Sequence, residues 1–260
     1  MTRELHWRIL EPLAATPVSR TWRVAVGEQL AVLRLDEPGA GHLGLNRSAE
    51  PSVLSTAAAA GLGPTCLTAD PARGLLLTAW LPGRAWSAVD LQEVGNLHRA
   101  AALLRRVHAT PLAGPVVDLG AAIDLYSAGA GVPAAALAAT ARDQLAHVLP
   151  GGVAGEAASL CFCHIDPTPG NFIASPAGEL HLIDWEYAGL CHPGFDLAGL
   201  AVGAELMAEQ VELLLTAYRG RPPTPAETDK HRAWEALCRS LGALWAAALA
   251  QFEPGFRADS

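Results

Sequence analysis

Lysine is almost missing from this chain. Of the 18 lysine and arginine residues among 260, only Lys230 is a lysine. Chemistry that requires an ammonium group must use Lys230 or proceed without one. Long apolar runs are missing too. No window approaches the roughly 18 charge-free apolar residues of a membrane span. The first ten residues carry Arg3, Glu4, His6 and Arg8 in place of the apolar stretch of a secretory signal, so a cytoplasmic location is expected. Positive charge is in deficit, with a net charge of −8 and a pI near 5.5. A nucleic-acid partner, which needs a basic face, is not expected, whereas a cationic ligand is permitted. Cysteines are few and odd in number, at 66, 161, 163, 191 and 238, which suits reduced thiols. No C-x-x-C pair occurs. The series Cys161, Cys163, His164, His181, Cys191, His192 gathers soft ligands suited to zinc. Cys161 and Cys163 nevertheless alternate along an apolar run as buried strand residues do, and a packing role is the expected one.

What is present is a folding chain. Hydrophobic residues make up 51% and charged residues 17%, which excludes disorder over most of the length. Alanine supplies roughly a fifth of the chain, against a common share nearer a tenth, so the core is built from small side chains.

The first eighty residues read as strands around one helix. Arg20–Val26 and Leu30–Leu35 flank a hairpin turn at Gly27-Glu28-Gln29. Asp36–Gly44 is a Gly- and Pro-rich loop, and Asn46 or Ser48 caps a helix ending near Ala60. Thr65–Ala69 and Gly74–Trp80 are further strands around an Asp70–Arg73 turn. Leu81-Pro82-Gly83 breaks the pattern and marks the expected boundary between residues 1–82 and 83–260. Helical periodicity follows at Leu91, Val94, Leu97, Ala101, Leu104 and Val107, then weaker helices at Ala121–Ala128 and Pro133–Leu149. Short apolar runs appear around residue 160. Helices return from about 196 to 252, broken near Gly220–Pro223.

The chemistry concentrates between Cys163 and Leu200, where His164, Asp166, Asn171, Asp184, Glu186 and Asp196 stand in apolar sequence. Acidic groups among buried strands need a partner, and a cation is a common one. If Phe172–Ala174 and Leu180–Ile183 form a hairpin around a two-residue turn at Ala177-Gly178, Asn171 faces Asp184. An amide oxygen beside a carboxylate suits Mg²⁺ together with phosphate oxygens. Asp166, on a loop stiffened by Pro167 and Pro169, is placed to accept a proton from a hydroxyl.

The spacing His164-x-Asp166-x4-Asn171, followed by Ile183-Asp184-Trp185-Glu186, resembles the aminoglycoside phosphotransferase and choline kinase family, relatives of protein kinases. Asp184–Gly189, Phe195–Ala198 and Trp80–Gly83 look most like bacterial thiamine and choline kinases. The resemblance implies an α+β, protein-kinase-like fold, with a small antiparallel-sheet lobe and a mostly helical lobe. It implies transfer of the ATP γ-phosphate to a small hydroxylated acceptor, by a monomer or homodimer. Asp166 would be the catalytic base, with His164 bracing its loop and Asp196 anchoring it. Asn171 and Asp184 would hold Mg²⁺, with Glu186 at the metal or facing the acceptor. Arg34 would take the phosphate-gripping strand position that lysine fills in protein kinases, with Glu50 as its helix partner. Leu81 would contact the nucleotide at the hinge. The phosphate-covering segment Pro12–Arg20 departs from the pattern because it lacks glycine, leaving Ser19 and Arg20 as substitutes. Aminoglycoside or sugar phosphorylation, and a nucleotide-binding pseudokinase, are the alternatives. Trp86, Asp124, Tyr126, Trp234 and Trp245 are acceptor-cage candidates.

Overall fold

A computed structural model describes residues 7–37, 43–131, 134–152 and 157–251. The Pro133 end of one expected helix, most of the Asp36–Gly44 loop and the first six residues lie outside it.

The N-terminal region is a five-stranded antiparallel sheet in the order β1-β2-β3-β5-β4. Its strands are β1 (Trp7–Ala15), β2 (Ser19–Val26), β3 (Gln29–Asp36), β4 (Cys66–Asp70) and β5 (Leu75–Ala79). Helix α1 (Glu50–Ala59) crosses between β3 and β4. Strand β1 was not anticipated, because Pro12 interrupts its pattern. The strand lies at the sheet edge and shifts register on both sides of Pro12, between Ile9 and Glu11 and between Pro12 and Ala14. Edge strands with bulges tolerate proline because no ladder N–H is needed there. The core of this sheet is small: Val24, Ala31, Leu33 and Leu77 are its fully buried members.

The helical region opens with the two-residue strand β6 (Arg84–Ala85). Where one helix was expected, α2 (Ala88–Gln92) and α3 (Val94–Ala109) stand separated by Glu93, whose ψ of 129° is extended. A capping box of Ser87 and Asp90 starts α2 and fixes its direction independently of α3. Helices α4 (Leu119–Ala130) and α5 (Ala135–Val148) follow. Short strands β7 (Cys161–Cys163), β8 (Phe172–Ala174), β9 (Leu180–Leu182) and β10 (Gly189–Cys191) carry the acidic motif. Helices α6 (Pro193–Gly203), α7 (Ala208–Arg219) and α8 (Pro225–Leu249) complete the chain. None of the described helices is long and apolar enough to cross a membrane.

The β8–β9 hairpin corrects the expected register by one residue. Phe172 faces Leu182 and Ile173 faces His181, and Ile183 N–H donates to Asn171 O at 2.9 Å. Asn171 is therefore opposite Ile183 rather than Asp184. The turn spans Pro176-Ala177-Gly178 between Ser175 and Glu179, with Gly178 at φ +84°. A three-residue loop closed by a left-handed glycine replaces the two-residue turn. This register buries Phe172 and Leu182 together, which the alternative would have forced to opposite faces.

Candidate active site

The loop after β7 is held by a single buried carboxylate. Asp196 is fully buried and accepts the backbone N–H groups of His164 (to Oδ2, 2.8 Å) and Ile165 (to Oδ1, 2.8 Å). Helix α6 is capped by His192, whose Nδ1 accepts from Gly194 N–H. The oxygens of Asp196, in the first turn of that helix, serve the neighbouring loop. His108 Nε2 lies 3.1 Å from Asp196 Oδ2, and His108 Nδ1 lies 2.7 Å from the Tyr218 hydroxyl. The His164 ring is fully buried, with Nε2 2.9 Å from Ile183 O, and burial lowers its pKa. Ile165 sits at φ +73°, a strained region for a β-branched residue. That twist turns the chain sharply ahead of Asp166.

Asp166 is held from the side. The Asn171 amide nitrogen donates to Asp166 O at 2.8 Å and to Asp166 Oδ2 at 2.9 Å. These donations leave Asn171 Oδ1 as an acceptor for a cation. Burial, together with the charges of Glu186 and Asp196, pushes the Asp166 carboxyl up to about 7 despite the Asn171 hydrogen bond.

Across the cleft stands an ion cluster built mostly by the sheet region. Arg34, on β3, makes a two-pronged contact with Glu50, with Nη1 donating to Oε1 at 2.8 Å and Nη2 to Oε2. Glu50 opens α1, and its side chain is 3% exposed. Arg34 Nη1 also reaches Glu186 Oε2 at 3.2 Å. Burial alone would depress the Arg34 pKa, but Glu50 and the other carboxylates raise it, so the guanidinium stays charged. Arg47 donates from Nη1 to the same Glu186 Oε2, and its Nε lies 2.8 Å from Asp36 Oδ2. Both arginines thus converge on Glu186 Oε2.

Asp184 differs from its neighbours. It sits at φ +65°, one step past the β9 ladder. Its Oδ1 is 3.7 Å from Arg34 Nη1, beyond hydrogen-bond reach, and its side chain is 43% exposed. Burial at the base of the cleft and the nearby Glu186 charge raise its pKa, with Arg34 opposing. Its 43% exposure leaves the carboxylate open to solvent screening, which limits that shift. Carboxylate oxygens of Glu50, Asp184 and Glu186 all lie within 4.8 Å of one another. Asp36, Glu50, Asp184 and Glu186 set four formal negative charges against two guanidiniums. That excess, with an accessible oxygen on Asp184, fits a divalent cation with oxygen ligands. No such group is needed to explain Arg34–Glu50.

The structure thus brings together Arg34, Glu50, Asp184 and Glu186, and separately Asp166, Asn171 and His164. Leu81 is half-buried at the end of the sheet region, with no polar contact to the cluster. Arg47 and Asp36 were not anticipated. The signal for Arg47 was present as an Arg-x-x-Glu spacing at the start of α1, where residues three apart meet. The glycine-poor segment is mostly strand. Only Thr16-Pro17-Val18 forms the turn, and Thr16 Oγ1 accepts from Val18 N–H at 3.3 Å and Ser19 N–H at 3.0 Å. Ser19 and Arg20 belong to β2, and Arg20 pairs with Glu37 at 2.6 Å.

Beside Asp166 opens a cavity of about 660 Å³ between the catalytic loop, α4, α6 and α8. Tyr126 and Trp245 line it, together with Tyr187. The other cage candidates do not. Trp86 is buried against Phe172, Trp234 is buried between His192 and Phe195, and Asp124 is exposed and paired with Arg142. The zinc series is not assembled either. Among the described residues, the soft ligands that meet are His108, Cys161 and Cys163, and both His108 nitrogens are already engaged.

An antiparallel sheet over a helical region, with an acidic cleft and a His-x-Asp-x4-Asn loop, defines the class: a kinase-like phosphotransferase. The model of the phosphotransferase enzyme family matches residues 10–234, and the chain belongs to that family. Among solved structures, a choline/ethanolamine kinase family protein from Mesorhizobium loti superposes with a TM-score of 0.72 at 28% identity, covering 95% of this chain and 82% of that one. Choline kinase LicA from Streptococcus pneumoniae shares the fold, with a TM-score of 0.74 at 22% identity over 95% of this chain and 89% of its own. Protein LicA of Haemophilus influenzae is 41% identical over 56 residues, 22% of this chain. That matched segment spans about a fifth of LicA's length, 21%.

Proposed function

We propose that this protein transfers the γ-phosphate of ATP, with Mg²⁺, to the hydroxyl of a small acceptor of the choline or thiamine class. Residues 1–82 and 83–260 act as the two lobes, with Leu81 at the nucleotide edge of the hinge, and the enzyme works in the cytoplasm. The observation that carries the reading is the paired arrangement across one cleft. A held carboxylate, Asp166, lines the large cavity, and an acidic pocket at Asp184 lies beside two arginines.

Asp166 orients the acceptor hydroxyl and takes its proton as the oxygen attacks phosphorus. The Asn171 amide keeps that carboxylate in one rotamer, so the attack geometry is set before the substrate arrives. His164 and Asp196 act through the loop backbone and touch no reacting atom. Asn171 Oδ1 and Asp184 would hold Mg²⁺, with the Glu186 carboxylate beside Asp184. When bound, the ion neutralises phosphate charge and orients the transferring group. Arg34 and Arg47 supply the positive charge of the sheet side in place of lysine. Glu50 fixes Arg34 with two hydrogen bonds, a geometry for which guanidinium is suited and ammonium is not.

The test is product formation. Incubation with MgATP and thiamine, choline, ethanolamine, aminoglycosides or hexoses should yield one phosphorylated acceptor by mass spectrometry. Hydrolysis of ATP to the same extent with and without every acceptor would defeat the proposal.

A further inference from the structure

The acceptor cavity has a size and a chemistry that narrow its ligand; the inference rests on the phosphotransferase reading above. A volume of about 660 Å³ is that of a site for a drug-sized ligand. A molecule as small as choline would leave most of it to water.

The charge of the lining is equally restrictive. Among the described residues, no arginine, lysine or histidine lines the cavity, so an anionic acceptor finds no counter-charge. Its carboxylates are Asp118, Asp166 and Glu186, and each is already engaged. Asp118 Oδ1 accepts Ala121 N–H at 2.9 Å to cap α4. Glu186 is shared by Arg34 and Arg47, and Asp166 is held by Asn171. Glu186 is neutralised by its two arginines and Asp166 is taken up by the hydroxyl, so Asp118, exposed and with its second oxygen open, is the one carboxylate of the lining left to meet a positive charge.

The aromatic wall is fixed in place. Trp245 Nε1 donates to the Tyr187 hydroxyl at 3.0 Å, and Tyr126 joins them in the lining. Locked rings lose little freedom on binding an apolar body, and their faces accept a single cation.

Gly242 gives a position from which to probe the cavity. It lies in the interior of α8, where glycine is less stable than alanine. It lines the cavity, and a Cβ built there meets nothing within 4 Å. Gly242 is itself exposed, so a large side chain placed there meets no steric resistance at the edge of the cavity.

We infer that the acceptor is a hydroxylated molecule of drug-like size with an apolar or aromatic body and at most one positive charge, seated with its hydroxyl at Asp166. Within the choline or thiamine class this points to the bulkier, thiamine-sized members over free choline, and it points away from a polycationic aminoglycoside.

Binding and turnover test the two layers separately. Calorimetric titration of the MgADP-loaded protein should be run with choline, thiamine, N-benzyl-N,N-dimethyl-ethanolammonium, kanamycin and glycerol 3-phosphate. At least one of the two bulky monocations should bind tenfold or more tightly than choline, with kanamycin and glycerol 3-phosphate weaker still. Gly242→Trp should remove that tenfold advantage while MgATP raises Tm as in the parent. Gly242→Ala, a smaller intrusion on the same helix, should leave most of it. Choline binding as tightly as the bulky cations overturns the size inference, as does tightest binding by kanamycin, or an advantage that survives Gly242→Trp. Bulky cations that bind preferentially yet are never phosphorylated would uphold the cavity inference and remove the kinase reading instead.

Discussion

The two sides of the cleft are built differently. The helical side crowds its working groups into one loop and one hairpin, from His164 to Glu186, and fixes them through Asp196 and Asn171. The sheet side scatters its groups over Thr16, Arg34, Asp36, Arg47 and Glu50, and fixes them by ion pairing across α1. On the helical side the reacting carboxylate must stand at one position to within a fraction of an ångström, so backbone and side chain are both pinned. On the sheet side the task is charge, and charge acts over several ångströms. Two guanidiniums from different elements can replace one lysine without reproducing its geometry. The turn between β1 and β2 carries the contrast further, because its amides bind Thr16 instead of facing the cleft.

The largest effect should come from the helical side. Asp166→Asn is isosteric and should lower kcat by about 10²–10⁴-fold, the usual range for a positioned proton acceptor. Its circular dichroism and its MgATP affinity should match the parent. Next is Asp184→Ala, which should abolish the Mg²⁺-dependent part of nucleotide binding in a titration with and without the metal. Chelation of the parent protein should give the same affinity as the variant. Equal Mg²⁺ dependence in both would take Asp184 out of the metal site.

On the sheet side, stability should move before rate. Arg34→Met leaves Glu50, with a side chain only 3% exposed, short of its two-pronged partner. Removing one member of a buried pair costs about 3–5 kcal/mol, which for a chain of this size lowers Tm by roughly 10 °C. Arg47→Met should lower Tm less, because Arg34 still holds Glu50 and Glu186. A larger loss from Arg47 than from Arg34 would reverse the order of importance within the cluster. The smallest effect is expected at the turn. Thr16→Gly releases the Val18 and Ser19 amides, and exposed amides approach phosphate more readily. The KM for ATP should fall a few-fold with kcat little changed; a rise would mean that the Thr16 hydroxyl itself serves the nucleotide.

The same contrast decides what could be read from the sequence. The His164–Asn171 motif and Asp184–Glu186 are legible because their spacing is short and local geometry follows from it. The fold class was legible through the family resemblance those motifs carry, and the change from strand to helix periodicity near Gly83 agrees with it. The hairpin register was misjudged because a two-residue and a three-residue turn fit the same Ser-Pro-Ala-Gly-Glu segment, and only the burial of Phe172 against Leu182 separates them. Strand β1 was hidden by Pro12, which reads as a breaker until its edge position is known. Arg47 escaped notice because its partnership with Glu186 spans well over a hundred residues, and Asp36 because it joins the cluster only through Arg47 and Arg34. The aromatic candidates were sorted only by packing, since a tryptophan on a helix reads alike whether it faces the core, as Trp234 does, or a cavity, as Trp245 does.

The most direct test of the central claim is a quantitative ³¹P NMR time course of MgATP with the best-bound acceptor, run in parallel for the parent protein and Asp166→Asn at equal nucleotide saturation. The account predicts a new phosphomonoester resonance growing in step with ADP in the parent, and its near-absence in the variant. Equal rates of phosphomonoester formation in the two proteins would contradict it.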